Sequence, residues 1–303
     1  MKKILITGGS GFIGTSLLKI LLKNNYKINC LDLKKPTIID KKLNFFKGSV
    51  SDKKILNKSI IGCQIVIHLA AKLGVKLTDE NKLDCLDVNI TGTRNILNAS
   101  VKNKIKKFIF CSSSEVYGEQ KIFPISEKAE LKCKSVYGIS KIIGEEYVKG
   151  FYQKYKLKYN IVRFFNVYGL GQKDNFVMSK FKKQIRSGKS LTVFGNGNQI
   201  RSFCNVSDAA TGLIKVMEKG KPNETYNIGN NNEPISIINL AKKFIKISDK
   251  KIKIKKIPHY KSDRSKSREI FERYPDLKRV YNHTKYRPKK DLNEGIRELI
   301  NLE

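Results

Sequence analysis

The sequence predicts an α/β fold, a doubly wound parallel Rossmann-type sheet followed by a smaller C-terminal α/β region, and three observations carry that prediction. Short, evenly apolar runs recur near residues 4–6, 28–31, 43–46, 65–69, 107–111 and 161–165, as expected of strands covered on both faces. Helical periodicity fills several of the gaps, near 12–23, 88–102 and 138–154. Glycines at 8, 11 and 14 stand between the first strand and the first helix. Later, Gly195-Asn196-Gly197-Asn198 and Gly229-Asn230-Asn231-Asn232 break the alternation, and shorter elements are expected beyond.

The first junction reads Thr7-Gly8-Gly9-Ser10-Gly11-Phe12-Ile13-Gly14 after the run Ile4-Leu5-Ile6. A strand, a tight turn without side chains and a helix N-terminus let a dinucleotide pyrophosphate approach backbone N–H groups and the positive end of the helix. Asp32 closes the second run, Ile28-Asn29-Cys30-Leu31, where a carboxylate accepts hydrogen bonds from an adenosine ribose and repels a 2′-phosphate. NAD is therefore the expected cofactor.

The 303 residues, 40% hydrophobic and 9% aromatic, suffice for a sizeable core and exclude a disordered chain. The net charge of +34 raises the question of nucleic acid. The lysines are nevertheless spread along nearly the whole chain, and the densest run, Lys250 to Lys256, alternates basic and apolar residues as a half-exposed strand does, so no nucleic-acid partner is expected. The apolar run after Met1-Lys2-Lys3 stops at the glycines, too early for a signal peptide, and no stretch approaches the roughly 20 apolar residues of a membrane span. A cytoplasmic protein without a membrane partner is expected. Cys30, Cys63, Cys85, Cys111, Cys133 and Cys204 form no C-x-x-C pair and read as buried free thiols, while His68, His259 and His283 are too scattered for a metal site.

Tyr137-Gly138-Ile139-Ser140-Lys141 places a phenol and an amine on one helix face. A tyrosine of ordinary pKa, about 10, is a poor base at neutral pH, and a neighbouring ammonium is expected to lower that value. The segment Cys111-Ser112-Ser113-Ser114-Glu115-Val116-Tyr117-Gly118 follows a strand and so lies at the carboxyl edge of the sheet, where Ser113 can share a sugar oxygen with Tyr137. Glu115 reads equally as a base or as a solvated loop carboxylate.

With these motifs in order, and with His68-Leu69-Ala70-Ala71, Asn89, Arg163 to Gly169, Thr192 to Gly195, Gln199-Ile200-Arg201, Val206-Ser207-Asp208, Tyr226 to Gly229 and Arg273-Tyr274-Pro275-Asp276, the chain resembles the extended short-chain dehydrogenase/reductase family, in its nucleotide-sugar epimerase/dehydratase branch. The resemblance implies Ser113, Glu115, Tyr137 and Lys141 as the catalytic set. It implies Gly8, Gly11, Phe12, Ile13, Gly14, Asp32, Leu69, Ala70, Ala71, Asn89 and Ser112, with Tyr137 and Lys141, around NAD. Ser113, Ser114, Asn166, Asn175, Arg201 and Arg273 would hold a nucleotide-diphosphate sugar, with Phe194 in the base pocket. Residues 1–165 would form the NAD-binding Rossmann domain and 166–303 a nucleotide-sugar-binding region interleaved with it. A homodimer through the helices near 88–102 and 138–154 is implied as well.

Two departures bear on the reaction. Ser49 stands where the family often carries Asp near the adenine, and Ser114-Glu115 stands where dTDP-glucose dehydratases carry Asp-Glu. The leading expectation is a nucleotide-sugar 4-epimerase working through a 4-keto intermediate. A 4,6-dehydratase, a UDP-glucuronate-type decarboxylase and a 4-dehydrogenase share the first step and remain alternatives.

Overall fold

The computed structural model describes residues 2–73, 78, 80–258, 260 and 269–301, so His259 lies outside the described residues. Its strands are β1 (Lys3–Thr7), β2 (Lys27–Asp32), β3 (Leu43–Lys47), β4 (Ile65–His68), β5 (Lys107–Ser113), β6 (Tyr159–Phe164), β7 (Val167–Tyr168), β8 (Leu191–Phe194), β9 (Ile200–Arg201), β10 (Cys204–Asn205), β11 (Glu224–Ile228), β12 (Ile235–Ser236), β13 (Ile254–Ile257) and β14 (Glu272–Arg273). Seven of them form the central sheet in the order β11-β6-β5-β4-β1-β2-β3, every pair parallel.

The pattern of apolar residues explains the layers. In β1, Ile4 and Ile6 enter a core with Leu17, Leu18 and Leu21 of the helix Phe12–Lys23 and Leu213 and Val216 of the helix Val206–Lys219. Leu5, between them, enters the opposite core with Leu56, Ile96, Leu97 and Val148, from the helices Lys53–Ile60, Gly92–Lys102 and Val136–Tyr155. Successive residues face opposite sides, so both faces need an apolar side chain and the strand reads as an unbroken run. Each such leucine or isoleucine stabilises the fold by about 1.5–3 kcal/mol.

Chain direction decides where a ligand fits. From β1 the chain adds β2 and β3 on one side, then crosses over to add β4 and β5 on the other. The crevice at that reversal lies beyond the carboxyl ends of β1 and β4, beside Gly8 and Leu69.

Three elements differ from the sequence expectation. The helix Val206–Lys219 and β11, which the apolar runs and helical periodicity do not mark, add one more helix and one more parallel strand to the sheet. The strand is hard to read because Asn227, fully buried, interrupts its apolar pattern; its amide is satisfied by the Ile125 carbonyl at 2.9 Å and the Tyr117 hydroxyl at 2.7 Å. The helix expected over 88–102 is divided, with one π-helical turn, Asp87–Thr91, between Lys82–Leu86 and Gly92–Lys102. Of the run Lys250 to Lys256 only the second half joins a strand, β13, paired with β8.

A separate core gathers around Phe181, Leu240, Phe244, Ile296 and Leu299, from the helices Val177–Arg186, Ile237–Ser248 and Leu292–Asn301. Small ladders pair β10 with β7, β13 with β8, and β9 with both β12 and β14. None of the six cysteines is in a disulfide; five are buried and Cys133 is half-buried. Among the described residues no helix is long and apolar enough to cross a membrane, and no group of three or more potential metal ligands occurs.

Candidate active site

The glycine turn joins β1 to the helix Phe12–Lys23. Gly8 has φ +75°, and a Cβ there would lie 2.6 Å from the Ala70 nitrogen, so this turn and the segment after β4 are in backbone contact. A Cβ at Gly14 would lie 2.4 Å from the Gly8 carbonyl oxygen. The helix begins at Phe12 and Ile13 with Gly11 as N-cap and no side-chain cap, which leaves its first N–H groups for an anion. Asp32 ends β2 beside this turn, and its carboxylate accepts from the Ser10 N–H at 2.9 Å and the Lys34 N–H at 3.2 Å.

Leu69, Ala70 and Ala71 follow β4 and are half-buried. His68, just before them, bonds Thr7 Oγ1 at 2.7 Å and Thr93 Oγ1 at 3.0 Å. Burial, with Lys141 nearby, holds its pKa down at about 3, so it is a neutral strut, as its apolar context predicts. Asn89 sits in the π-helical turn, accepts from the Lys72 N–H at 2.8 Å and donates to the Lys72 carbonyl and to Ser140 Oγ, both at 3.0 Å. It therefore moors the Ala70-Ala71 segment to the helix Val136–Tyr155.

On that helix, which Ser135 caps by accepting from the Gly138 N–H, Tyr137 and Lys141 lie one turn apart with Lys141 Nζ 5.7 Å from the Tyr137 ring centre. Lys141 is buried, and its ammonium donates to the Cys111 carbonyl at 2.8 Å. Burial pulls its pKa down to about 8, against the opposing influence of Cys111, Glu145 and Cys85. The lowering of Tyr137 that the sequence assigns to Lys141 is corrected here: burial and then Glu115 push the phenol above its ordinary value, and a hydrogen bond with Ser113 acts in the opposite direction. Ser113 thus does meet Tyr137. Its hydroxyl also accepts from the Glu115 N–H at 3.2 Å, capping the turn Ser114–Tyr117, in which Ser114 is buried. Ser112 differs, because its hydroxyl donates to Glu145 at 2.6 Å inside the core and leaves only backbone to a cofactor.

Glu115 is an ion-pair partner rather than a solvated loop carboxylate. Arg273 Nη1 donates to it at 2.7 Å, with both side chains nearly buried. Arg273 Nη2 donates to Asn166 Oδ1 at 3.3 Å, and Asn166 donates in turn to the Ser202 carbonyl at 3.2 Å. Arg201 and Arg273, distant in sequence, are register partners in the β9–β14 ladder. Arg201 donates to the Ile270 carbonyl at 2.6 Å and pairs with Glu269 at 3.5 Å. Arg273 Nε is buried and has no hydrogen-bond partner among the described residues. Two expected substrate residues stand apart from this cluster: Asn175 is exposed just before Phe176, the N-cap of Val177–Arg186, and Phe194 ends β8 with Lys180 Nζ 4.6 Å from its ring centre.

Sequence reasoning overlooked Glu145, Glu269 and the role of Arg163. Glu145 carries a weak signal, an acidic residue four positions beyond Lys141 on the same helix face. Nothing local marks Glu269.

The family model described as the NAD dependent epimerase/dehydratase family matches residues 4–229. The chain belongs to that family. Members of it use NAD, and this epimerase/dehydratase-family enzyme does so too: the turn that a Cβ would obstruct at Gly8 and Gly14, the uncapped helix start and Asp32 fit the dinucleotide. A putative UDP-glucose 4-epimerase of Methanocaldococcus jannaschii is 34% identical, over 98% of this chain and 97% of its own. A UDP-N-acetyl-alpha-D-glucosaminuronate decarboxylase of Bacillus cytotoxicus is also 34% identical, over 99% and 97%. The crystal structure of a Bacillus cereus UDP-glucuronic acid 4-epimerase in complex with UDP-glucuronic acid and NAD is 29% identical, with a TM-score of 0.90 over 99% of this chain and 98% of that one.

Proposed function

We propose that this family member is a nucleotide-sugar 4-epimerase, and the Glu115–Arg273 pair carries the reading. A 4,6-dehydratase must take a proton from C5 with a nearby carboxylate and protonate a departing hydroxyl. Here the carboxylate is engaged at 2.7 Å by a guanidinium, and Ser114, far too weak an acid, stands in the acid's place. A 4-epimerase needs neither step.

In the proposed reaction Arg201, Arg273 and Asn166 bind the diphosphate, and Phe194 and Asn175 lie on the nucleotide side. Ser113 and Tyr137 share the C4 hydroxyl, and Tyr137 accepts its proton. Lys141 favours the phenolate and holds the cofactor's ribose. Gly8, Gly11, Phe12, Ile13, Gly14, Asp32, Leu69, Ala70, Ala71 and Asn89 would hold NAD, which when bound would supply a reversible two-electron oxidation at C4. The 4-keto sugar turns over in the cleft, and Tyr137 returns the proton after reduction from the other face.

A decarboxylase is the second reading, favoured by the 34% identity to a UDP-N-acetyl-alpha-D-glucosaminuronate decarboxylase over 99% of this chain. The deciding experiment is incubation with UDP-, GDP-, dTDP- and CDP-sugars in deuterated water. The epimerase product keeps its substrate's heavy-atom composition, is inverted at C4 and carries no deuterium at C5. Loss of carbon dioxide puts the second reading first, and loss of water overturns both. We further propose a homodimer through the helices Gly92–Lys102 and Val136–Tyr155, on the second of which Ile139 and Tyr155 are exposed. Light scattering that finds only a 34.6 kDa species at micromolar concentration overturns it.

A further inference from the structure

The helix that carries Tyr137 and Lys141 also carries a carboxylate with no part in the scheme above. Glu145 lies one turn beyond Lys141 and is 0% exposed. An ionised group in such a place must be fully engaged. Ser112 Oγ donates to its Oε1 at 2.6 Å, Arg163 Nε to Oε1 at 2.9 Å, and Arg163 Nη2 to Oε2 at 2.6 Å. Ser112 of β5 and Arg163 of β6 are register partners, so the carboxylate bridges two adjacent strands from the helix above them. The remaining arm of Arg163, Nη1, donates to the Tyr117 hydroxyl at 2.9 Å and the Glu127 carbonyl at 3.3 Å, and Tyr117 donates on to Asn227 of β11 at 2.7 Å. One buried pair therefore ties the helix to the end of β5, the turn after Ser113 and the strands beyond.

Apolar packing can join a helix to a sheet at least as firmly as a buried ion pair. What it cannot supply is charge. Among the described residues, the groups facing the Lys141 ammonium besides Glu145 include the Cys111 carbonyl, the Phe110 ring at 5.0 Å, the Tyr137 ring at 5.7 Å, the Cys111 and Cys85 thiols, and His68. His68 is neutral, and the Cys111 thiol, pushed up to about 12 by burial, is neutral as well near pH 7. Glu145 is the carboxylate among the groups that act against burial at Lys141.

We propose that Glu145 is a positioning residue of the C4 oxidation: it bolts the strand end bearing Ser112 and Ser113 to the helix bearing Tyr137 and Lys141, and it supplies the fixed negative charge that faces Lys141. The inference rests on the proposed function only in assigning Tyr137 and Lys141 to C4.

The test uses the NAD-loaded enzyme. The ionisation of Lys141 is followed by ¹⁵N NMR of the Nζ signal, assigned by its loss in Lys141→Arg, beside the pH dependence of kcat. In Glu145→Gln the Lys141 ionisation and the alkaline limb of kcat are expected to move down together by about one pH unit, with kcat near neutral pH about tenfold lower. Charge-free Glu145→Gln/Arg163→Met still lacks the carboxylate, so its Lys141 ionisation is expected to stay below that of the wild type, and a return to the wild-type value would overturn the charge role of Glu145. Where Glu145→Gln does not fold, Glu145→Asp keeps the charge and shortens the bolt, so wild-type ionisation with lower kcat is expected. A folded Glu145→Gln with unmoved Lys141 ionisation, or a moved one in Glu145→Asp, overturns the proposal. A wild-type enzyme that turns over no nucleotide sugar defeats the proposed activity instead, and the NMR titration still decides the role of Glu145.

Discussion

The two sides of the cleft are assembled differently. On the cofactor side the surface is mostly backbone, gathered within one strand–turn–helix unit from Thr7 to Gly14, with Asp32 at the end of the next strand. On the proposed substrate side Glu115, Asn166 and Arg273 come from three separate segments and meet through an ion pair and a hydrogen bond between side chains, and Arg201 joins them as the backbone register partner of Arg273. A backbone cradle holds its shape against changes elsewhere but admits no added atom. A set of paired charges admits small steric change, and losing one partner disturbs the rest, because the other is left buried and uncompensated.

The largest expected effect lies where the two sides meet. Tyr137→Phe keeps the ring and removes the oxygen that Ser113 bonds, so turnover should fall about 10²-fold or more while NAD is retained, as chromatography of the released cofactor would show. Retained turnover would move the proton transfer to another residue.

Gly8→Val then tests the cradle. A β-branched residue at φ +75°, with its Cβ 2.6 Å from the Ala70 nitrogen, should abolish NAD retention and cost on the order of 1–3 kcal/mol in stability by denaturant titration. Binding of the nucleoside diphosphate alone, measured by calorimetry, should persist. Loss of both would show that the two sides do not fail separately.

Glu115→Gln tests the paired charges. It leaves Arg273 without its counter-charge, so the expected change is a KM for nucleotide sugar about tenfold higher, with kcat less than about tenfold lower, or under roughly 1.4 kcal/mol of barrier. A collapse of kcat with unchanged KM would make Glu115 a base and favour a C5 reaction.

The smallest effect concerns His68, the neutral strut behind the cofactor side. Its pKa is about 3 in the fold and 6.5 as an ordinary histidine, so the unfolded chain binds the extra proton below pH 6.5. The stabilisation is complete above that pH and is lost as pH falls toward 3, amounting to about 2 kcal/mol between pH 7 and pH 5. Urea unfolding at the two pH values should show this slope in the wild type and lose it in His68→Gln.

Legibility in the sequence follows the same division. The apolar runs give six of the sheet's strands because a buried parallel strand must be apolar on both faces. β11 escapes because Asn227 is buried there only through partners on Tyr117 and the Ile125 carbonyl, which no local pattern announces. The π-helical turn at Asp87–Thr91 escapes for a similar reason, since Asn89 is held by Lys72 and Ser140 from outside its own segment. Tyr137 and Lys141 are legible because helix geometry alone puts residues four apart on one face.

Spacing within a few residues and the fixed periods of helix and strand were enough to read the doubly wound sheet, the dinucleotide turn with its acidic strand end, and the placement of Tyr137 and Lys141 on one helix face. Only the tertiary structure decided what the charged groups do: that Glu115 is tied to Arg273, that Ser112 turns to Glu145 and Arg163 instead of the cleft, and that burial and Glu115 raise Tyr137 where Lys141 alone would lower it. Charge interactions depend on distance and burial, and both are set by chain segments that the fold brings together from far apart in sequence.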